Sequence, residues 1–319
     1  MIITFTFPRN SFYSMIIFAC ILFGCQIACS SVYSDDINGR ILSVSGDKIL
    51  YSYESDSLDE YMTYKLSMIE LNEHENKLID SEMLINNALL QGDSVFYAKD
   101  NTFLVLNLET LSTDTIIKVS PPDELVGWSM SNNGKILLLT VDYEQEQMKY
   151  TIYNNQKSII YTGHIFFNIM ESEDRYPHVD YIDGYFVGLV QSQLFYIDVR
   201  KMETCLLSSN CSDFSLTDRS ILYYTINAEN LLFKEFDFVS NKESDIYANG
   251  ILSHSPIDLF TTTFSNGQKT PLCIKDNKPF YWIENKWIQA DEILFYKSGR
   301  LSIGTQKNNT SYNSFKIYR

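Results

Sequence analysis

Six times along the chain a polar turn launches a short apolar segment. The copies are "VSGDKILYSY" from Val44, "LQGDSVFYAK" from Leu90, "SNNGKILLLT" from Ser131, "DYIDGYFVGL" from Asp180, "LTDRSILYYT" from Leu216 and "FYKSGRLSIG" from Phe295. Their turn positions are Gly46, Gly92, Gly134, Gly184, Asp218 and Gly299, with successive gaps of 46, 42, 50, 34 and 81 residues. Glycine adopts the positive φ that tight hairpins need, and aspartate tolerates it better than most residues. The last gap is nearly double the others. It reads as one further unit, over about residues 250–290, whose turn glycine has been lost. With that unit counted, the period is about 42 residues, close to the roughly 40–45 of four-stranded radial repeats.

The rest of each unit also has the pattern of strands. "KILYSY" is followed by "YMTYKLSMIEL" and "KLID", and "YFVGLVQ" by "QLFYIDVRK" and "ETCLLSS". The third segment often ends in Asp or Asn and then a polar turn. No amphipathic helical run of a dozen residues stands out. One four-stranded sheet cannot bury both of its faces, so a series of them must stack and close. The expected fold is all-β: a single β-propeller with four antiparallel strands per blade. Seven blades fit the period; six fit if the irregular segment is absorbed into a neighbour. The last unit, 291–319, offers three strands, and residues 31–37 are placed to supply a fourth.

Composition supports strands: 22 tyrosines and 20 phenylalanines stand against 13 glycines and 7 prolines. The formal charge of −15, from 25 basic and 40 acidic side chains, argues against nucleic acid as a partner.

The ten apolar residues "MIIFACILFG", 15–24, are too few to span a bilayer as a helix. With Arg9 upstream and small or polar residues downstream, they have the layout of a secretory leader. The following Leu22, Gly24 and Cys25 resemble the lipobox of bacterial lipoproteins, with Phe23 where a smaller residue is usual. That resemblance implies acylation of Cys25 and a membrane-tethered mature chain. Cleavage near Ala28-Cys29-Ser30 and an uncleaved anchor are the other two readings, and all three export the protein to the periplasm or cell envelope. The plan is a leader over 1–24, a tether and ring-closing strand over 25–37, and a propeller over 38–319.

The segment "WSMSNNGKILLLT", Trp128 to Thr140, resembles the repeat of TolB-like and WD40-like bacterial propellers. Trp128, Ser129, Gly134, Lys135 and Ile136 match its pattern, with one residue inserted and the proline absent. The resemblance implies a scaffold that binds something at a ring face or the central channel, and it carries no catalytic residue.

No Gly-x-Ser-x-Gly elbow, phosphate-cradling loop or His-Glu-x-x-His motif occurs, and the chain has only four histidines. No catalytic residue, metal ligand or cofactor is therefore assigned. Within "ESEDRYPHVDYIDG", 171–184, Asp174, His178, Asp180 and Asp183 form a candidate ligand cluster on a loop crossing one ring face, or simply a solvated loop. Trp287, among polar residues in "ENKWIQ", is expected at the surface, where it would stack on a sugar or grip a peptide. Cys205 and Cys211 flank a turn and are expected either as a disulfide or as free thiols. These features point to an exported non-catalytic scaffold that binds a protein or peptide. The alternatives are a carbohydrate-active enzyme and a sugar-binding propeller.

Overall fold

The computed structural model describes residues 36–45, 47–54, 63–70, 75–83, 85, 87–165, 177–227, 230–246, 258–263, 269–275, 278–283, 286–289, 293–298, 301–308 and 311–318. Every regular element among them is a β-strand. Strand β1 (Asp36–Asn38) precedes six groups of four. The first sheet holds β2 (Arg40–Ser45), β3 (Lys48–Glu54), β4 (Tyr64–Glu70) and β5 (Glu75–Met83). The second holds β6 (Ala88–Gln91), β7 (Ser94–Lys99), β8 (Thr102–Asn107) and β9 (Ser112–Lys118), and the third β10 (Glu124–Met130), β11 (Ile136–Asp142), β12 (Gln147–Tyr153) and β13 (Ile159–Ile165). The fourth is β14 (His178–Ile182), β15 (Tyr185–Val190), β16 (Gln193–Asp198) and β17 (Glu203–Ser208). The fifth is β18 (Asp213–Leu216), β19 (Ser220–Asn227), β20 (Asn230–Asp237) and β21 (Lys242–Ile246). The sixth is β22 (Asp258–Thr263), β23 (Lys269–Lys275), β24 (Lys278–Ile283) and β25 (Lys286–Gln289). Last come β26 (Ile293–Ser298), β27 (Leu301–Asn308) and β28 (Ser311–Tyr318).

Within each group the strands pair antiparallel in chain order, and β1 pairs with β28, Ile37 opposite Phe315. The described residues thus form seven four-stranded sheets. The all-β, four-strand expectation holds. In the sixth unit β22 and β23 pair down to Thr263 opposite Lys269. The expected loss of the turn glycine falls on residues 264–268, which lie outside the described residues.

The core explains why the strands alternate as they do. It is a chain of apolar clusters, each shared by two consecutive sheets. Leu66, Met83 and Val95 join the first and second; Phe103, Trp128 and Leu138 the second and third. Leu139, Tyr150 and Phe186 join the third and fourth, Val187, Phe214 and Tyr223 the fourth and fifth, and Phe233, Cys273 and Trp282 the fifth and sixth. A second strand is packed on both faces: all seven residues of β11 are buried, five of them apolar, together with Thr140 and Asp142. Fourth strands lie outermost: β9, β13 and β21 are mostly exposed. First strands of neighbouring sheets touch, β2 with β6, β10 with β14, and β18 with β22. Side chains tie some of them to the next backbone. Leu90 N–H donates to Ser43 Oγ at 3.1 Å, and Leu259 N–H to Asp213 Oδ2 at 2.8 Å. A first strand is hydrogen-bonded to one neighbour only, so these links satisfy groups that a lone sheet would leave open.

Candidate functional site

The polar turn that ends the third strand has the same construction in the second, fourth and fifth sheets. Asn107, Asp198 and Asp237 each close a third strand, and one side-chain oxygen accepts two backbone N–H groups of the turn. The pairs are Glu109 and Thr110, Arg200 and Lys201, and Val239 and Ser240. The next residue folds back: Leu108, Val199 and Phe238 N–H donate to the carbonyls of Asp93, Gly184 and Arg219 in the turn between the first two strands. The fifth residue of each turn, Leu111, Met202 or Asn241, takes positive φ of 54°, 58° or 52°. Both turns of a sheet are thereby locked together at one end.

At this end, between the fourth and fifth sheets, lies a half-open pocket of about 230 Å³. The fourth sheet contributes Ile182, Asp183, Tyr185 and Arg200; the fifth contributes Arg219, Phe238 and Val239. Tyr185 and Phe238 stack at 3.9 Å between ring centroids, above Tyr196 and Phe236, which stack at 5.4 Å. The Arg200 guanidinium lies 5.2 Å over the Tyr185 ring and donates from Nη2 to its hydroxyl at 2.9 Å. It also rests against Gly184, where an added Cβ would sit 3.4 Å from Nε. Gly184 has φ +93°, so the site depends on this glycine twice, for the turn and for the space. Across the pocket Arg219 Nε pairs with Asp237 Oδ2 at 3.2 Å. The Ser240 backbone N–H, its hydroxyl and Arg219 hold the Asp237 carboxyl below the usual range.

A second, shallower groove of about 570 Å³ runs between β13 and β17, past Tyr161, His164, Glu203 and Cys205. Its floor is Tyr150, whose hydroxyl bonds Thr204 of the next sheet. Burial pushes that phenol up to about 12. Tyr150 can lie flat there because its cross-strand partner is Gly163, where a Cβ would fall 2.3 Å from the ring.

The sequence-derived candidates separate. His178 and Asp180 belong to β14 rather than to a loop, and Asp183 to the turn after it. Five residues of extended chain put His178 and Asp183 roughly 16 Å apart, so they form no joint cluster. His178 stacks on Phe214 of the fifth sheet at 4.5 Å, and Asp180 accepts the Tyr181 N–H at 2.7 Å. Of the group, Asp183 alone lines the pocket. Asp174 and Cys25 lie outside the described residues. Trp287 is not at the surface: it is 7% exposed and packs edge-on against its cross-strand partner Trp282 at 5.2 Å. Its polar neighbours misled because alternation sends them outward. Cys205 and Cys211 are free thiols. Cys211 is buried, donates to the Asp213 carbonyl at 3.3 Å, and is kept protonated by that burial. Among the described residues no three His, Cys, Asp or Glu side chains are grouped to hold a metal ion.

Arg200 and Arg219 escaped the sequence reading because each looks like an ordinary turn residue. Aligning the units on their capping Asn or Asp would have shown two arginines at facing turn positions.

No family model matches the chain, and no curated protein does. Solved structures match at low identity. The β-propeller domain of the Trilobed protease from Pyrococcus furiosus, described as having an open velcro topology, matches at a TM-score of 0.54 and 11% identity, over 89% of this chain and 94% of that one. Pyrococcus horikoshii acylaminoacyl peptidase matches at 0.55 and 10%, over 89% of this chain, which spans only 51% of the peptidase chain. A chain in a mitotic checkpoint complex matches at 0.57 and 8%, over 89% and 93%. TolB from Acinetobacter baumannii gives 0.48 and 11%, over 86% and 65%, too distant to bear on the reading. At these identities the likeness shows the β-propeller fold and nothing finer.

Proposed function

We propose that this is an exported, non-catalytic propeller that docks a protein or peptide at the end where its paired turns lie. The observation that carries the reading is the pocket between the fourth and fifth sheets. There the turns leave an aromatic floor open, and Val239 stands at its rim 80% exposed. An apolar residue so placed stabilises nothing in the fold but suits the centre of a contact. The fold supports the reading in a general way, because a propeller of this kind occurs in a mitotic checkpoint complex. In the same proposal seven blades close into a ring, with β1 as the clasp on β28. The leader ends before an acylated Cys25, and the chain is tethered at the cell envelope.

The test is cross-linking with a photoreactive group at position 239, in the protein exported from its own leader. A defined envelope protein or peptide joined at that position, and lost when Tyr185→Ala removes half of the aromatic floor, is the expected result. Binding of glycans in place of any polypeptide would refute the docking reading in favour of a sugar-binding one. For the anchor, Cys25→Ala should abolish the lipid mass shift and release the protein from the membrane fraction. An unchanged mass would sink that part alone.

A further inference from the structure

We infer that the pocket takes the C-terminal carboxylate of a peptide, with the last side chain laid on Tyr185 and Phe238. This deepens the docking reading and rests on it. The argument starts from an internal comparison. At the matching place between the first and second sheets, Lys48 opens β3 and Asp93 supplies the turn carbonyl, and the two form an ion pair at 2.6 Å. Between the fourth and fifth sheets the same positions hold Tyr185 and Arg219. The chain closes the first site with its own carboxylate and ammonium. At the second it offers cationic walls and leaves the gap open.

The arginines are held on one edge and unspent on the other. Asp237 takes Arg219 at Nε, while Arg200 has Nε 3.8 Å from Asp198 and Nη2 on Tyr185. A guanidinium carries five N–H donors. The remaining donors of both have no protein partner among the described residues, and a carboxylate is the acceptor whose geometry matches them.

Size and charge narrow the ligand. A volume of about 230 Å³ is below the roughly 300 Å³ where small-molecule sites begin, and it fits one amino-acid residue. A chain end brings a carboxylate and a side chain from one Cα, which suits cationic walls above an aromatic floor. Asp183 in the lining and the net charge of −15 disfavour a dianion or an acidic tract. A single charge on an apolar residue avoids that repulsion.

The experiment measures binding of fluorescent pentapeptides ending in Phe or Leu to the exported full chain. Each is made as the free acid, as the C-terminal amide, and as an amide with an internal glutamate. We expect the free acid to bind at least tenfold more tightly than either amide, and Arg219→Gln to erase that difference in a variant that still melts cooperatively. Equal binding of acid and amide overturns the inference, as does no binding at 1 mM peptide, on the order of the weakest specific affinities. So does an internal glutamate that substitutes for the chain end, or equal competition by inorganic phosphate. The acid–amide comparison uses the unaltered protein and survives any folding defect in the variant. A partner cross-linked at position 239 with no dependence on Arg219 would leave the docking reading standing and remove this one.

Discussion

Replacing Asp198 tests the turn construction that shapes the pocket. Its Oδ1 accepts Arg200 N–H at 2.9 Å and Lys201 N–H at 3.2 Å, and its side chain is 7% exposed. Alanine removes both bonds. Hydrogen bonds to a charged acceptor are worth about 1.5–3 kcal/mol each when no substitute exists. Here the donors sit on exposed Arg200 and Lys201, so water replaces much of the loss. The nearer analogy is removal of a helix cap, at about 0.5–2 kcal/mol. Asp198→Ala should therefore cost about 2 kcal/mol, the upper end, because the carboxylate also faces Arg200 and Lys201 at 3.8 Å. Asp198→Asn keeps an acceptor in place, as Asn107 does for Glu109 and Thr110 at 2.9 Å, and should cost less than about 1 kcal/mol. Urea unfolding followed by tryptophan emission reads the difference, since Trp128, Trp282 and Trp287 are all buried. The midpoint should fall with an unchanged slope. An asparagine variant as weak as the alanine one would refute the capping argument and shift the weight to the charges. An alanine variant within 0.5 kcal/mol of wild type, the usual range for a surface change, would refute both.

Three further outcomes follow from the same geometry. Gly188→Ala should destabilise by about 1–3 kcal/mol in the same urea assay, because the new Cβ would lie 2.3 Å from Cζ of the buried Phe195; adding Phe195→Leu should recover part of the loss. Leu111→Asn should raise stability by up to about 1 kcal/mol in thermal melts, since Leu111 is held at φ 54° while 71% exposed, and Asn241 fills the equivalent position at φ 52°. Asp237 has a lowered carboxyl pKa in the fold, so its contribution is fully present above its unfolded value of about 3.9 and is lost as pH falls through the folded value. Stability measured from pH 5 down to pH 2 should decline less steeply in Asp237→Asn than in wild type, and an identical slope would remove Asp237 from the account.

The strands were legible because each is short, apolar on schedule and bounded by a turn residue. The third-strand Asp and Asn stood out for the same local reason: Asp198 and Asp237 bond to backbone within three residues. Trp287 was misplaced because its burial is decided by Trp282 and Phe233, which no local pattern announces. The pocket was illegible for a deeper reason. Its residues come from four turns in two sheets, and what makes it open is a substitution relative to Lys48 and Asp93, far away in the chain.

The pairing of β1 with β28 means that the first-made strand of the described chain waits for the last before its hydrogen bonds are met. Closing so long a loop is slow, so a refolding molecule stays unzipped at that seam until both strands are in place. Once zipped, a protease nick at an exposed turn such as the one holding Val239 would leave two fragments still clasped to each other, whereas loss of residues 36–38 alone would leave the seam unlatched.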